Sequence, residues 1–243
     1  VDTPRPESEA AKHGGAFRQS WGVQLIELQK YAENGDESRI HFNSTEGHIP
    51  SAHELQKLGI KLFVGVGHET TGATTYAEED VRNLLEWIAL DPVNHHAVID
   101  ATSTLGAMPW AEDIVQQVVA KCSLFMPFQK AIGGTAGYFI VSFTPQALDL
   151  VEKNVNNPAW AIPRQLKLAL PADGQLPISG KRSLAAGPFY DPAKEQMIGG
   201  IINTFSTIAF AETTFGLLSS EKKVGSVRDL NKRSIANRAE VER

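Results

Sequence analysis

Apolar and polar residues along this chain recur with the two periods of regular secondary structure. From residue 78 to residue 89, Val81, Leu84, Leu85 and Ile88 return at three- and four-residue steps, which puts them on one helical face. Acids fill the first turn of that helix, where its dipole favours them. The same spacing predicts a helix over 17–32, with Trp21, Leu25, Ile26, Leu28 and Tyr31 apolar, and short helices over 51–58 and 113–119. Pro50 and Ser51 suit the start of the helix over 51–58. Compact β-branched runs predict strands at 39–43 and 61–66, and a third one ending at Asp100. Thr144-Pro145 begins a further helix through 147–151. Another opens after residue 201 with Asn203 or Thr204 as its cap. The proline-rich stretch from Pro158 to Pro192 reads as a long ordered excursion placed at a subunit contact. Strands alternating with helices from Arg39 to Ser142 predict an α/β layer architecture with a mostly parallel sheet.

Composition leaves that picture intact and narrows the partners. The 243 residues can bury a large core, and 42% hydrophobic with 21% charged is ordinary for a soluble globular chain. A net charge of −5 without a basic block argues against nucleic acid and against an anionic membrane. Nothing approaches a membrane-spanning apolar length, and a single cysteine, Cys122, points to a reducing, cytoplasmic setting and a packing role. Residues 1–14 are rich in Pro, Glu and Ala and read as a flexible lead or loop remnant. They carry no initiator methionine, so the sequence is expected to be processed or incomplete.

The chemistry concentrates in 123–142. An apolar run from Leu124 to Phe128 breaks at Gln129-Lys130, passes Gly133, Gly134 and Gly137, and resumes from Tyr138 to Val141. That is a strand, a glycine-rich loop and a strand. A lysine delivered by such a strand end would sit between apolar walls, where desolvation disfavours the ammonium and yields a usable amine nucleophile. A Schiff-base lysine needs this, although a solvated surface charge is the commoner fate of the residue type. Asp100 closes a strand upstream, so in a parallel sheet it reaches the same carboxyl edge as Lys130, where ligands bind. Its plainer reading is a helix N-cap. His95-His96 point to opposite faces of a strand and lack a third ligand, which argues against a metal.

The segments G-H-E-T-T-G, V-I-D-A-T-S, F-Q-K-A-I-G-G, P-A-W-A-I-P and I-I-N-T-F-S, in this order, resemble the phosphoserine aminotransferase family of class V, fold-type I pyridoxal-phosphate enzymes, over residues 15–235. The resemblance implies a three-layer α/β/α large domain at 15–218, incomplete on its N-terminal side. Residues 219–243 would then lead toward a small C-terminal domain that this chain largely lacks. It also implies a homodimer with shared active sites, pyridoxal 5'-phosphate as cofactor, and transamination between phosphoserine or 3-phosphohydroxypyruvate and glutamate or 2-oxoglutarate, a step of serine biosynthesis. In that reading Lys130 holds the cofactor as an imine and Asp100 pairs with the ring nitrogen. Trp21 stacks on the ring and Thr70 bonds its phenolic oxygen, while Gln129, Asn203 and Thr204 bind phosphate. His68 stands where the family often has asparagine. Read without the resemblance, His68 and Thr70 are turn residues, Trp21 is core, and Asn203 and Thr204 cap a helix. Two alternatives stay open: another class V aminotransferase or lyase, and a truncated relative that binds cofactor or dimerises without turnover.

Overall fold

A computed structural model of the chain describes residues 41, 43, 47–69, 74–136, 139–154, 190–191, 196–197 and 206–241. Helix α1 (Ala52–Lys57) opens with a full capping box. The Ser51 side chain accepts the Glu54 N–H, and the Glu54 carboxylate accepts the Ser51 N–H at 3.0 Å. Strand β1 (Leu62–Val66) follows, then a two-residue ribbon of β2 (His68–Glu69) against β3 (Thr74–Thr75), then helix α2 (Glu78–Leu90). Strand β4 (His96–Asp100), helix α3 (Glu112–Lys121), strand β5 (Ser123–Pro127), strand β6 (Phe139–Ser142) and helix α4 (Pro145–Asn154) complete this part. Beyond it stand the pair β7 (Tyr190–Asp191) and β8 (Gln196–Met197), then helices α5 (Thr207–Val224) and α6 (Val227–Val241).

The main sheet runs β1-β4-β5-β6, with β1, β4 and β5 parallel and β6 antiparallel at the edge. The expected mixed α/β fold with a mostly parallel sheet is therefore present. Of the expected strand at 39–43, His41 and Asn43 are described and belong to no strand; the other three positions lie outside the described residues. The helix expected at 17–32 and most of the proline-rich stretch also lie outside them.

One core unites α1, α2 and α3 with one face of the sheet. Phe63, Ala97, Ile99 and Leu124 enter it from the strands, and Leu55, Val81, Leu84, Trp87, Ile88, Ile114 and Val118 from the helices. Each of the larger aliphatic side chains and Phe63, fully withdrawn from water, contributes roughly 1.5–3 kcal/mol before chain entropy is set against it. Neither α2 nor α3 has a side-chain cap at its own N-cap residue, and two hydrogen bonds pin their entries to each other. The Trp110 indole donates to the Tyr76 carbonyl at 2.9 Å, and the Ala111 N–H donates to the Glu78 carboxylate at 2.8 Å. Glu78 thereby does a cap's work from the neighbouring helix, and with Arg82 this holds its carboxyl below the usual range. His95 stacks on Trp87 at 4.4 Å and shares a hydrogen bond between Nδ1 and the Trp87 carbonyl at 2.7 Å. Cys122 closes α3 within the same core, where burial pushes its thiol up to about 12.

Side chains alternate across a strand, so the partners of these core residues face the other way. Val66, Asp100 and Phe125 stand in register on that second face, and the Phe125 ring packs on Phe139 at 4.9 Å. No helix among the described residues is long and apolar enough to cross a membrane.

The helix expected after residue 201 exists but starts later than the sequence suggested. Its cap is Ser206, whose hydroxyl accepts the Ala209 N–H at 3.3 Å, rather than Asn203 or Thr204. In N-T-F-S-T four residues offer a comparable acceptor, so the local sequence does not decide among them. Gly225, at φ 99°, ends α5 in a left-handed conformation that suits glycine and turns the chain into α6.

Candidate functional site

Three parallel strands deliver their C-terminal loops to one edge of the sheet, the side where α/β proteins bind ligands. β1 leaves through Gly67, whose N–H donates to the Asp100 carbonyl at 3.0 Å. The Thr75 hydroxyl donates to the Gly67 carbonyl at 2.9 Å and folds the β2–β3 ribbon over that exit. β4 leaves through Asp100. Its carboxylate is buried and accepts the Thr102 N–H at 2.9 Å as well as the Thr102 hydroxyl. Asp100 is thus at the edge where the sequence put it, but it caps no helix. The chain turns instead through 102–106, with the Leu105 N–H donating to the Ala101 carbonyl at 2.9 Å. A short acid accepting from the backbone two residues on is the usual way to start such a turn.

β5 leaves through Phe128 into the loop that carries Gln129 and Lys130. Two backbone bonds fold it: Gly133 N–H to the Lys130 carbonyl at 2.9 Å, and Gly134 N–H to the Phe128 carbonyl at 2.8 Å. Gly133 takes φ 75°, which a side chain would strain. Gln129 and Lys130 are both exposed. The apolar walls expected around the lysine are not formed by the described residues: Lys130 stands exposed at the start of the turn that the Gly133 N–H closes on its carbonyl. Lys130 and Asp100 nevertheless belong to adjacent parallel strand ends at one edge. Trp21, Thr70, Asn203 and Thr204 lie outside the described residues.

Helices α5 and α6 cover this edge. On the loop after β4, the Ser234 hydroxyl donates to the Gly106 carbonyl at 2.9 Å. A Cβ on Gly106 would lie 2.7 Å from Leu230 and 3.2 Å from Ala131, so three segments meet at this glycine. On the loop after β5, Thr135 donates to Glu212, and a Cβ on Gly216 would lie 2.6 Å from the Ile132 carbonyl. Arg228 of α6 pairs with Glu112 at the start of α3 at 2.5 Å.

Polar residues missed by the sequence reading also gather here. Glu69, inside G-H-E-T-T-G, is buried at the exit of β1. Its neighbour His68 is half-buried, and burial lowers its pKa against the opposing pull of Glu69. Thr102 was legible as the residue two positions after an acid at a strand end, the spacing of a side chain-to-backbone turn. Glu212 and Gly216 carried no local signal, because their partners are about eighty residues away in sequence. No protein-family model matches the chain, and no curated protein matches it.

Proposed function

We propose that this chain is the cofactor-carrying part of a pyridoxal-phosphate aminotransferase of fold-type I. It passes an amino group between phosphoserine or 3-phosphohydroxypyruvate and glutamate or 2-oxoglutarate, and it works as a homodimer. The observation that carries the reading is the buried Asp100 carboxylate at the end of β4, next to the strand whose loop bears Lys130. The chemistry of these two groups fits the cofactor. One fixed anion suits a pyridine nitrogen, and one amine on a neighbouring loop suits an aldehyde. The order of the five quoted segments supports the choice of family.

When bound, pyridoxal phosphate supplies an electron sink for the bond cleaved at the substrate Cα. Asp100, fixed by both donors of Thr102, favours the proton on the ring nitrogen through its negative charge. The Lys130 Nζ would anchor the cofactor aldehyde and, as a free amine, would serve as the base for the proton at the substrate Cα. By the resemblance, Trp21 would stack on the ring, Thr70 would bond the phenolic oxygen, and Gln129, Asn203 and Thr204 would hold the phosphate.

The purified chain, incubated with pyridoxal phosphate and reduced with borohydride, is expected to gain the mass of one cofactor on the peptide containing Lys130. Lys130→Ala is expected to lose both the adduct and any turnover. Turnover retained in Lys130→Ala, or an adduct spread over surface lysines, overturns the assignment. One observation favours a second reading, cofactor binding without turnover: Lys130 is exposed, so the described residues do not enclose its amine in the dry site that proton transfer at the substrate Cα needs. A visible absorbance band that shifts on addition of glutamate decides for catalysis, and a band that ignores glutamate decides for binding alone.

A further inference from the structure

We infer that α5 positions the Lys130 loop through a glycine-to-backbone seam, with Gly216 and Thr213 on the helix set against Ile132, Gly133 and Gly134 on the loop. Gly216 is buried in the middle of an 18-residue helix. A glycine there costs about 1 kcal/mol relative to alanine, so its presence calls for a compensating contact. The contact is visible: a Cβ at Gly216 would lie 2.6 Å from the Ile132 carbonyl oxygen and 3.2 Å from the Gly133 carbonyl carbon, both backbone atoms that cannot swing aside. The approach is mutual. A Cβ at Gly134 would lie 2.9 Å from the Thr213 hydroxyl oxygen and 3.2 Å from its Cα. The Thr213 hydroxyl is buried and has no hydrogen-bond partner among the described residues, so close packing against Gly134 rather than a polar bond holds it there. One residue further, Thr135 donates to Glu212 on the same helix.

These contacts all fall on the arm of the turn that returns from Lys130. The Gly133 N–H closes the turn on the Lys130 carbonyl itself. Displacing Ile132 and Gly133 therefore moves the carbonyl of Lys130, and with it the base of the side chain. Gly216 and Thr213 are positioning residues: they touch no substrate and act by fixing the turn that Lys130 crowns. This rests on the reading of Lys130 as the anchoring amine for its functional meaning, while the seam itself can be tested without any cofactor.

The test is hydrogen exchange at the Gly133 and Gly134 amides, run beside borohydride capture of pyridoxal phosphate on Lys130. In Gly216→Ala both amides are expected to exchange about tenfold faster, with the protection of β4 unchanged, because only a local opening has become easier. Capture on Lys130 is expected to fall several-fold. Ile208→Ala, an exposed change on the same helix, is expected to leave both readouts alone. A folded Gly216→Ala with unchanged exchange at Gly133 and Gly134 overturns the inference. Should Gly216→Ala not fold, Gly134→Ala decides: it should loosen the same turn, and adding Thr213→Ala should restore part of the protection by removing the hydroxyl it meets. No rescue in that pair also overturns the seam. If the parent chain captures no cofactor while exchange responds as described, the aminotransferase reading fails and the seam stands.

Discussion

Helices α2 and α5 are the two long apolar helices of the described chain, and the structure seats them by different means. α2 keeps its large apolar side chains on one side except for Leu90 at its end, and Val81, Leu84, Leu85, Trp87 and Ile88 all disappear into the core. α5 carries large apolar residues on several sides. Ile208, Phe210, Phe215, Leu217 and Leu218 are exposed, and Thr213 and Gly216 are the residues it buries. α2 is held by area removed from water; α5 is held by close approach of small residues and by its ends. Damage to α2 should therefore be felt by the whole fold, and damage to α5 by the loop beneath it.

The strongest way to break that contrast is to truncate the centre of α2. Leu84 has no exposed surface, so Leu84→Ala should destabilise the protein by about 2–5 kcal/mol, read from the denaturant midpoint. A loss below about 1 kcal/mol would mean that α2 is no better seated than α5. A weaker handle is pH. Burial is the first cause that lowers both His96, beside the α2 core, and His68, at the covered edge, below their ordinary value of 6.5. A histidine kept neutral by the fold but protonated more readily when unfolded contributes stability above 6.5, and that stability is lost as pH falls through the folded value. The melting temperature should therefore drop below about pH 6.5. The carboxylates lowered by their partners, Glu54, Glu78, Asp91 and Asp229, act only beneath their ordinary values of 3.8–4.5. The interval from pH 6.5 to 5 thus isolates the histidines. His96→Gln should flatten the curve there, and an unaltered curve in both His96→Gln and His68→Gln would refute the assignment. The smallest expected effect is Phe215→Ser. At 74% exposure this change on α5 should shift stability by no more than about 0.5 kcal/mol, and a larger loss in thermal melts would show that the helix is seated on that side after all.

What could be read from sequence was what local pattern determines. α2 announced itself because a one-sided apolar stripe and an acidic first turn agree, and it was foreseen to within one residue at its end. β1 and β4 were legible as β-branched runs and β5 as a compact apolar run, and their parallel pairing followed from the helices between them. The Ser123–Ser142 stretch was foreseen as strand, loop, strand, and Asp100 was foreseen at a strand end. For Lys130 the sequence offered both an apolar pocket and a solvated surface position, and could not choose, because a glycine turn gives no sign of which way it tips until its partners are known. The covering of the edge by α6 was equally hidden. Ser234 reaches Gly106 across 128 residues, and no local propensity encodes that meeting.

Cys122 carries a practical consequence. It is the sole sulfhydryl of the chain, sealed in the core and almost wholly protonated at neutral pH. A maleimide dye offered to the native protein should pass it by, so a cysteine engineered on the surface can be tagged while the resident one stays silent. Once the core parts, that same sulfur becomes a stopwatch for unfolding, started by the protein itself.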